Sequence, residues 1–183
     1  MIVFISGGAR SGKSSYAEEL AYTKHMILKN RFSEGKLYYI ASSRRSDNEM
    51  EQRIAIHQER RSKQWTTIEE PYDIVPLLSE KQKGDVVLFD CLTVWLSNMI
   101  FDLDYSLNGL TKVVCDWLAL SKKQGFDLII VSNDVNEGLP MDGETVQNYM
   151  YYLGKLHQLA AAGADQAIQM TAGIPIYWKE GEK

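Results

Sequence analysis

The sequence predicts an α/β domain built on a mainly parallel central sheet, and three observations carry that prediction. Short β-branched and aromatic runs alternate with longer stretches of helical spacing, the order that lays helices on the faces of a parallel sheet. The runs at 2–6, 85–90 and 126–133 are almost continuously apolar, as strands buried on both faces are. The first of them leads into a glycine-rich loop and an amphipathic stretch, a strand–loop–helix unit at the start of the chain.

Taken in order, "IVFIS" (2–6) is the first strand, and Tyr16, Leu20, Tyr22, Met26 and Ile27 give the helix after the loop an apolar face. "KLYYIAS" (36–42) is the next strand. The charged stretch from Arg44 to Arg61 follows, in which Met50, Ile54, His57 and Arg61 share a face if the segment is helical. "DVVLFD" (85–90) is a buried strand, after which Thr93 is placed to cap a helix beginning "VWLSNM". Leu107, Leu110, Val114, Trp117, Leu118 and Leu120 mark another amphipathic helix, and "FDLIIVSN" (126–133) another strand. Tyr149, Tyr152, Leu153, Leu156 and Leu159 mark the last helix, and "AIQM" (167–170) and "IPIYW" (174–178) are the last strands. Trp95 and Trp117 read as core, Trp178 as packing beneath the last strand, and Tyr149, Tyr151 and Tyr152 as core or subunit interface. With no repeat, low-complexity tract or linker, residues 1–183 read as one domain.

Composition excludes several classes. Lys and Arg number 20 against 24 Asp and Glu, for a formal charge of −4, which does not provide the basic surface that holds a nucleic-acid backbone. Cys91 and Cys115 are far apart and belong to no CxxC or Cys/His cluster; they read as reduced core cysteines. No apolar run approaches membrane-spanning length, and the opening "MIVFISGG" lacks the basic start of a secretion signal. The expected setting is soluble and cytoplasmic, without stable membrane insertion.

Gly7-Gly8-Ala9-Arg10-Ser11-Gly12-Lys13-Ser14 satisfies G-x-x-x-x-G-K-[ST] between a strand and a helix. Small residues let consecutive backbone N–H groups turn in around a phosphate, and the following helix points its positive end at the same place. Lys13 supplies charge to the β- and γ-phosphates, and the Ser14 hydroxyl suits a magnesium ion bridging them. Ser11 contributes backbone to the cradle, and Ser15 opens the helix. Asp90 follows four apolar residues at a strand end, a position that favours a carboxylate serving Mg2+ in a phosphate site. These features describe a phosphoryl-transfer enzyme or a nucleotide-driven switch, and name no acceptor.

His57 admits two readings: a packed structural histidine, or a nucleophile whose neutral nitrogen attacks an α-phosphate, expels pyrophosphate and holds the nucleoside monophosphate covalently. Arg61, one turn on, is placed to neutralise charge developing on the phosphoryl oxygens.

Here the chain resembles the bifunctional adenosylcobinamide kinase/adenosylcobinamide-phosphate guanylyltransferase family of cobalamin biosynthesis. The residues that carry the resemblance are "GGARSGKS" (7–14), "YIASS" (39–43), "EMEQRIAIHQERR" (49–61) leading to Trp65, Thr67 and Glu69, "DCLT" (90–93) and "VSNDVNEG" (131–138). The pattern R-I-x-x-H-x-x-x-R-x-x-x-W-x-T-x-E, satisfied from Arg53 to Glu69, is the most specific of them. The resemblance implies a P-loop NTPase (RecA-like) three-layer fold. It implies phosphorylation of adenosylcobinamide by ATP or GTP, then transfer of GMP from GTP through His57 to give adenosylcobinamide-GDP. It also places Ala41, Ser42, Ser43, Gln58, Glu59, Arg60 and Arg61 near bound nucleotide, and implies a homotrimer. Glu69 can accept hydrogen bonds from a guanine edge, or serve as a surface carboxylate beside Glu70.

Departures fall in the carboxy-terminal third. Met150 and Tyr151 stand where the family pattern has a charged pair, and His157 stands in place of an asparagine, with Gly154 and Gln158 retained. His157 reads as a helix-surface or interface residue and His25 as structural or exposed. Two other readings remain open at this point: a P-loop kinase without guanylyl transfer, and a non-catalytic nucleotide-dependent regulator.

Overall fold

The computed structural model describes residues 1–43, 64–135 and 143–181. Its seven strands form one sheet: β1 (Ile2–Gly7), β2 (Leu37–Ala41), β3 (Trp65–Glu69), β4 (Val86–Asp90), β5 (Asp127–Val131), β6 (Gln166–Thr171) and β7 (Ile174–Lys179), in the spatial order β3-β2-β4-β5-β1-β6-β7. All neighbours pair in parallel except β6 and β7. The expected α/β, mainly parallel architecture is present.

Side-chain alternation divides the core between the two faces of the sheet. Ile2 and Phe4 join a cluster with Leu96 of α3 (Leu92–Phe101), Trp117 of α4 (Leu107–Gln124) and Leu156 of α5 (Glu144–Gly163), while Val3 and Ile5 face Ala17 and Ala21 of α1 (Lys13–Lys29). The short α2 (Val75–Ser79) adds Leu78 to the first cluster. Trp95 and Trp117, both fully buried, meet edge to face at 4.6 Å, and Phe89 lies 5.0 Å from Trp117. These rings fill the core as their spacing predicted. α4 also shows why it starts and stops where it does. The Ser106 hydroxyl accepts from Gly109 N–H at its start, Lys122 and Lys123 lie in its last turn, and Gly125 takes the left-handed conformation after it.

Several expectations are corrected. The buried stripe of α1 is Lys13, Ala17, Ala21 and His25, with Tyr16, Leu20 and Leu28 beside it, whereas Tyr22, Met26 and Ile27 are exposed. Small side chains let this helix approach the sheet closely behind the phosphate loop, so bulk was a poor guide to its inner face. Thr93 does not cap α3; Cys91 holds that position, and Thr93 is the helix's second residue. Cys115 is exposed, unlike Cys91. Trp178 lies on edge strand β7 with 73% of its surface exposed, its indole N–H donating to Gln169. Tyr151 is exposed, while Tyr149 and Tyr152 pack on the core. Strand β3 escaped the sequence reading because the charged run before it masks a short edge strand, in which Trp65 meets the Tyr39 ring at 6.1 Å.

Candidate phosphate-binding site

Because β1 to β6 run the same way, their carboxyl ends share one edge of the sheet, the edge where open α/β folds bind ligands. The loop after β1 lies there. Gly7 is required: a Cβ on it would come 2.6 Å from both the Met170 carbonyl oxygen and the Ser11 hydroxyl. Arg10 and Gly12 take left-handed conformations, with φ of 59° and 89°, turning the chain back toward α1. Ser11 N–H donates to Gly8 O at 3.2 Å, and Tyr16 N–H donates to Gly12 O at 3.0 Å as the helix begins. Lys13 is buried and donates from Nζ to the Gly8 carbonyl at 3.0 Å, holding its ammonium group over the loop. Ser14 and Ser15 follow in the first turn of α1. The loop is braced from outside by the β6–β7 hairpin, where Ala172 and Gly173 have φ of 50° and 84°, the conformation of a tight two-residue turn. Gly173 N–H donates to Ser11 O at 3.0 Å, and the Tyr16 and Tyr177 hydroxyls are 2.7 Å apart.

Asp90 ends β4, as the sequence placed it. That strand is not the neighbour of β1, since β5 lies between them. At the usual strand spacing this sets Asp90 roughly 10 Å along the edge from β1. Tyr39 donates to one Asp90 carboxylate oxygen at 2.8 Å. The next residue, Cys91, is held by Ser42: its N–H donates to the Ser42 Oγ at 2.9 Å, and that hydroxyl donates to the Cys91 carbonyl at 2.8 Å. Asn98 adds a donor to the Ser42 carbonyl at 2.9 Å. Ser42 is 0% exposed, so its hydroxyl is committed to fixing the chain beyond Asp90. Burial, reinforced by the Asp90 charge, pushes the Cys91 thiol up to about 12, so it stays protonated and is no nucleophile near neutral pH.

Register places Glu69, Ala41 and Asp90 level with one another at the ends of β3, β2 and β4. Glu69 is exposed on the edge strand, and Ser43 follows Ser42 at the end of β2. The structure thus brings the loop 7–15, Ala41 to Ser43, Glu69 and Asp90 to one edge. His57, Gln58, Glu59, Arg60 and Arg61 lie outside the described residues.

A second polar cluster joins this edge, formed by residues the sequence reading did not group. His157 is not a surface residue. Its ring packs on Phe4 at 5.2 Å, its Nε2 is 2.7 Å from Ser132 Oγ, and its side chain is 16% exposed. The signal was present: His157 sits one turn after Leu153, on the buried stripe of Leu153, Leu156 and Ala160. No group of three or more His, Cys, Asp or Glu suited to a metal occurs among the described residues, and none of the described helices is long and apolar enough to cross a membrane.

Comparison with known proteins decides the family. The model of the family described as cobinamide kinase / cobinamide phosphate guanyltransferase matches residues 3–177. The chain belongs to that family. The bifunctional adenosylcobalamin biosynthesis protein CobP of Pseudomonas aeruginosa is 36% identical over 174 residues, 94% of each chain. The corresponding CobU of Escherichia coli is 27% identical over 188 residues, covering 96% of this chain and 98% of that one. Among solved structures, the flagellar accessory protein FlaH of Methanocaldococcus jannaschii aligns with TM-score 0.54 at 16% identity, over 98% of this chain and 78% of that one. A KaiC-like protein of Pyrococcus horikoshii aligns with TM-score 0.52 at 10% identity, over 92% and 69%. These distant likenesses show the fold alone, the P-loop NTPase-like α/β fold that the resemblance implied.

Proposed function

We propose that this protein phosphorylates adenosylcobinamide with ATP or GTP and then transfers GMP from GTP to the product through a covalent guanylyl-His57 intermediate. The observation that carries the reading is the loop from Gly7 to Ser14, closed by Lys13 on Gly8, in a chain whose family is described by both activities. In the first step the substrate hydroxyl attacks the γ-phosphorus, its proton leaves, and the nucleoside diphosphate departs. Loop N–H groups and Lys13 take up the charge on the phosphoryl oxygens. In the second step a neutral His57 nitrogen attacks the α-phosphorus of GTP and pyrophosphate leaves. The substrate phosphate then attacks the same phosphorus, forming a phosphoanhydride and freeing His57. Arg61 balances charge in both halves of this exchange.

The layout of the edge supports one orientation of GTP. Glu69 is four strands from β1 in the sheet order, roughly 19 Å away at the usual spacing. Phosphates in the loop and a guanine edge toward Glu69 and Ala41 to Ser43 use that separation. The donor set fits magnesium: the Ser14 hydroxyl and the Asp90 carboxylate are hard oxygen ligands, and the hydrogen bond from Tyr39 orients the carboxylate. When bound, the ion neutralises phosphate charge. All described strands share a single sheet, which supports one domain over 1–183. We place the protein in the cytoplasm as a homotrimer; the exposed Ile174, Ile176 and Trp178 of β7 supply apolar surface of the kind a second subunit covers.

The test is incubation with α-labelled GTP followed by denaturation and intact-mass analysis. An acid-labile GMP adduct is expected in the unaltered protein and in Lys122→Ala, absent in His57→Ala, and reduced about a hundredfold in Lys13→Ala, which also loses phosphorylation. His57→Ala retains phosphorylation. No adduct in protein that is active as a kinase refutes guanylyl transfer, and no acceptor-dependent nucleotide consumption at all refutes both steps in favour of a regulator.

A further inference from the structure

A chain of hydrogen bonds underlies the nucleotide edge and ends on His157, whose other ring nitrogen faces the Asp134 carboxylate. At one end Thr93 Oγ1 accepts from Asn133 N–H at 2.7 Å and lies 2.9 Å from Ser132 Oγ, in α3 just after Asp90. Ser132 Oγ is 2.7 Å from His157 Nε2, and His157 Nδ1 is 4.0 Å from Asp134 Oδ1. The other Asp134 oxygen accepts from Ser6 Oγ and from Gln169 Nε2, each at 3.2 Å. Asp134 N–H also donates to Gly7 O at 3.0 Å, at the start of the phosphate loop.

The direction follows from counting hydrogens. A neutral ring with a bare Nδ1 would aim a lone pair at the Asp134 carboxylate, which repels it, so Nδ1 carries the hydrogen and Nε2 accepts. Ser132 then spends its only hydrogen on Nε2. Thr93 must therefore donate to Ser132, while its own oxygen takes the Asn133 N–H. A second proton on the ring reverses both hydroxyl links: Nε2 becomes a donor, the Ser132 hydrogen turns to Thr93, and the Thr93 hydrogen must leave Ser132. The cationic ring also draws on Asp134, the carboxylate that holds Ser6 and Gln169.

We propose that His157 is a positioning residue for the phosphate chemistry. Its neutral ring, accepting from Ser132 and turning its N–H side to the Asp134 charge, holds the start of the phosphate loop and the start of α3 in the working arrangement, and protonation releases both. The proposal rests on the reading of the site given above. Among the described residues Asp134 is the one charged group facing the ring. Phe4 of β1 and Ser132, just after β5, meet the ring; Ser6 of β1 and Gln169 of β6 bond Asp134, Thr93 of α3 bonds Ser132, and Lys155 of the histidine's own helix lies over the Tyr151 ring instead. Burial lowers the histidine below its ordinary range and Asp134 opposes that shift, so the neutral form prevails near neutral pH and is lost on the acid side.

The kinase step is the reporter, because guanylyl transfer carries its own acid dependence from His57. Between about pH 5 and 8, kcat of the unaltered protein should fall about tenfold per unit below the midpoint of one ionisation. His157→Gln keeps an amide in place of Nε2 but cannot titrate, and should vary less than about threefold over the same range. A limb of equal midpoint in both proteins, or no limb in the unaltered protein, overturns the proposal. Nitrogen NMR of the unaltered protein reads the tautomer directly, the His157 signal being the one lost in the glutamine variant. A neutral ring bearing its hydrogen on Nε2 also overturns the proposal, whether or not the variant folds. Failure of the proposed function differs from this: the unaltered protein would then phosphorylate no acceptor at any pH, while the tautomer still reports on the ring.

Discussion

Ser42→Ala is the most informative single change, because it removes one hydroxyl and orphans the backbone N–H of Cys91. Ser42 Oγ both accepts from Cys91 N–H and donates to Cys91 O, at 2.9 and 2.8 Å, in a fully buried setting. Water cannot replace the lost partner without opening the sheet edge, so the N–H bears a desolvation cost of about 1–3 kcal/mol, while the Cys91 carbonyl keeps the bond it accepts from the Trp95 N–H at 3.1 Å. A loss of about 1–3 kcal/mol lowers Tm by about 2–12 °C in a chain of this size. Ser79→Ala is the control: its hydroxyl also donates to a backbone carbonyl, that of Pro76, but at the surface, and its loss should stay within about 0.5 kcal/mol. Asp90 precedes Cys91, so the kinase kcat of Ser42→Ala should fall tenfold or more, toward the hundredfold that about 1 Å of misplacement costs. Scanning calorimetry with steady-state kinetics reads both effects. A Tm within about 1 °C of the unaltered protein and an unchanged kcat would refute the claim that this hydroxyl organises the chain beyond Asp90.

Gly7→Ala forces a methyl to within 2.6 Å of the Met170 carbonyl; the loop or β6 must shift, and nucleotide affinity by titration calorimetry should fall at least tenfold while the fold persists. Trp95 and Trp117 are equally buried, but the Trp95 indole donates to Tyr72 O at 2.6 Å and the Trp117 indole N–H has no hydrogen-bond partner. In urea unfolding Trp95→Phe should therefore cost about 1–2 kcal/mol more than Trp117→Phe.

The legible parts of this protein were those written in local pattern. The loop from Gly7 to Ser14 was readable because backbone conformation, charge and helix direction depend on consecutive residues. Asp90 stood out because a carboxylate ending an apolar run marks a strand end. The inner face of α1 was not legible in the same way, since close approach to the sheet selected Ala17 and Ala21 over the larger Met26 and Ile27. Nor was the duty of Ser42, whose partner Cys91 is 49 positions away. His157 lay on a readable helical stripe, yet its meaning required Ser132 and Asp134 from another element.

By itself, then, the sequence determined the fold class, the phosphate cradle and the family motifs, because each is a short-range arrangement of shape and charge along the chain. The tertiary structure alone decided that β5 separates the strand of Asp90 from that of the loop, that Ser42 faces inward, and that His157 joins a chain of hydrogen bonds beneath the site. Those features arise from strand order and helix docking, where side chains remote in sequence meet in a buried space and must satisfy one another's donors and acceptors.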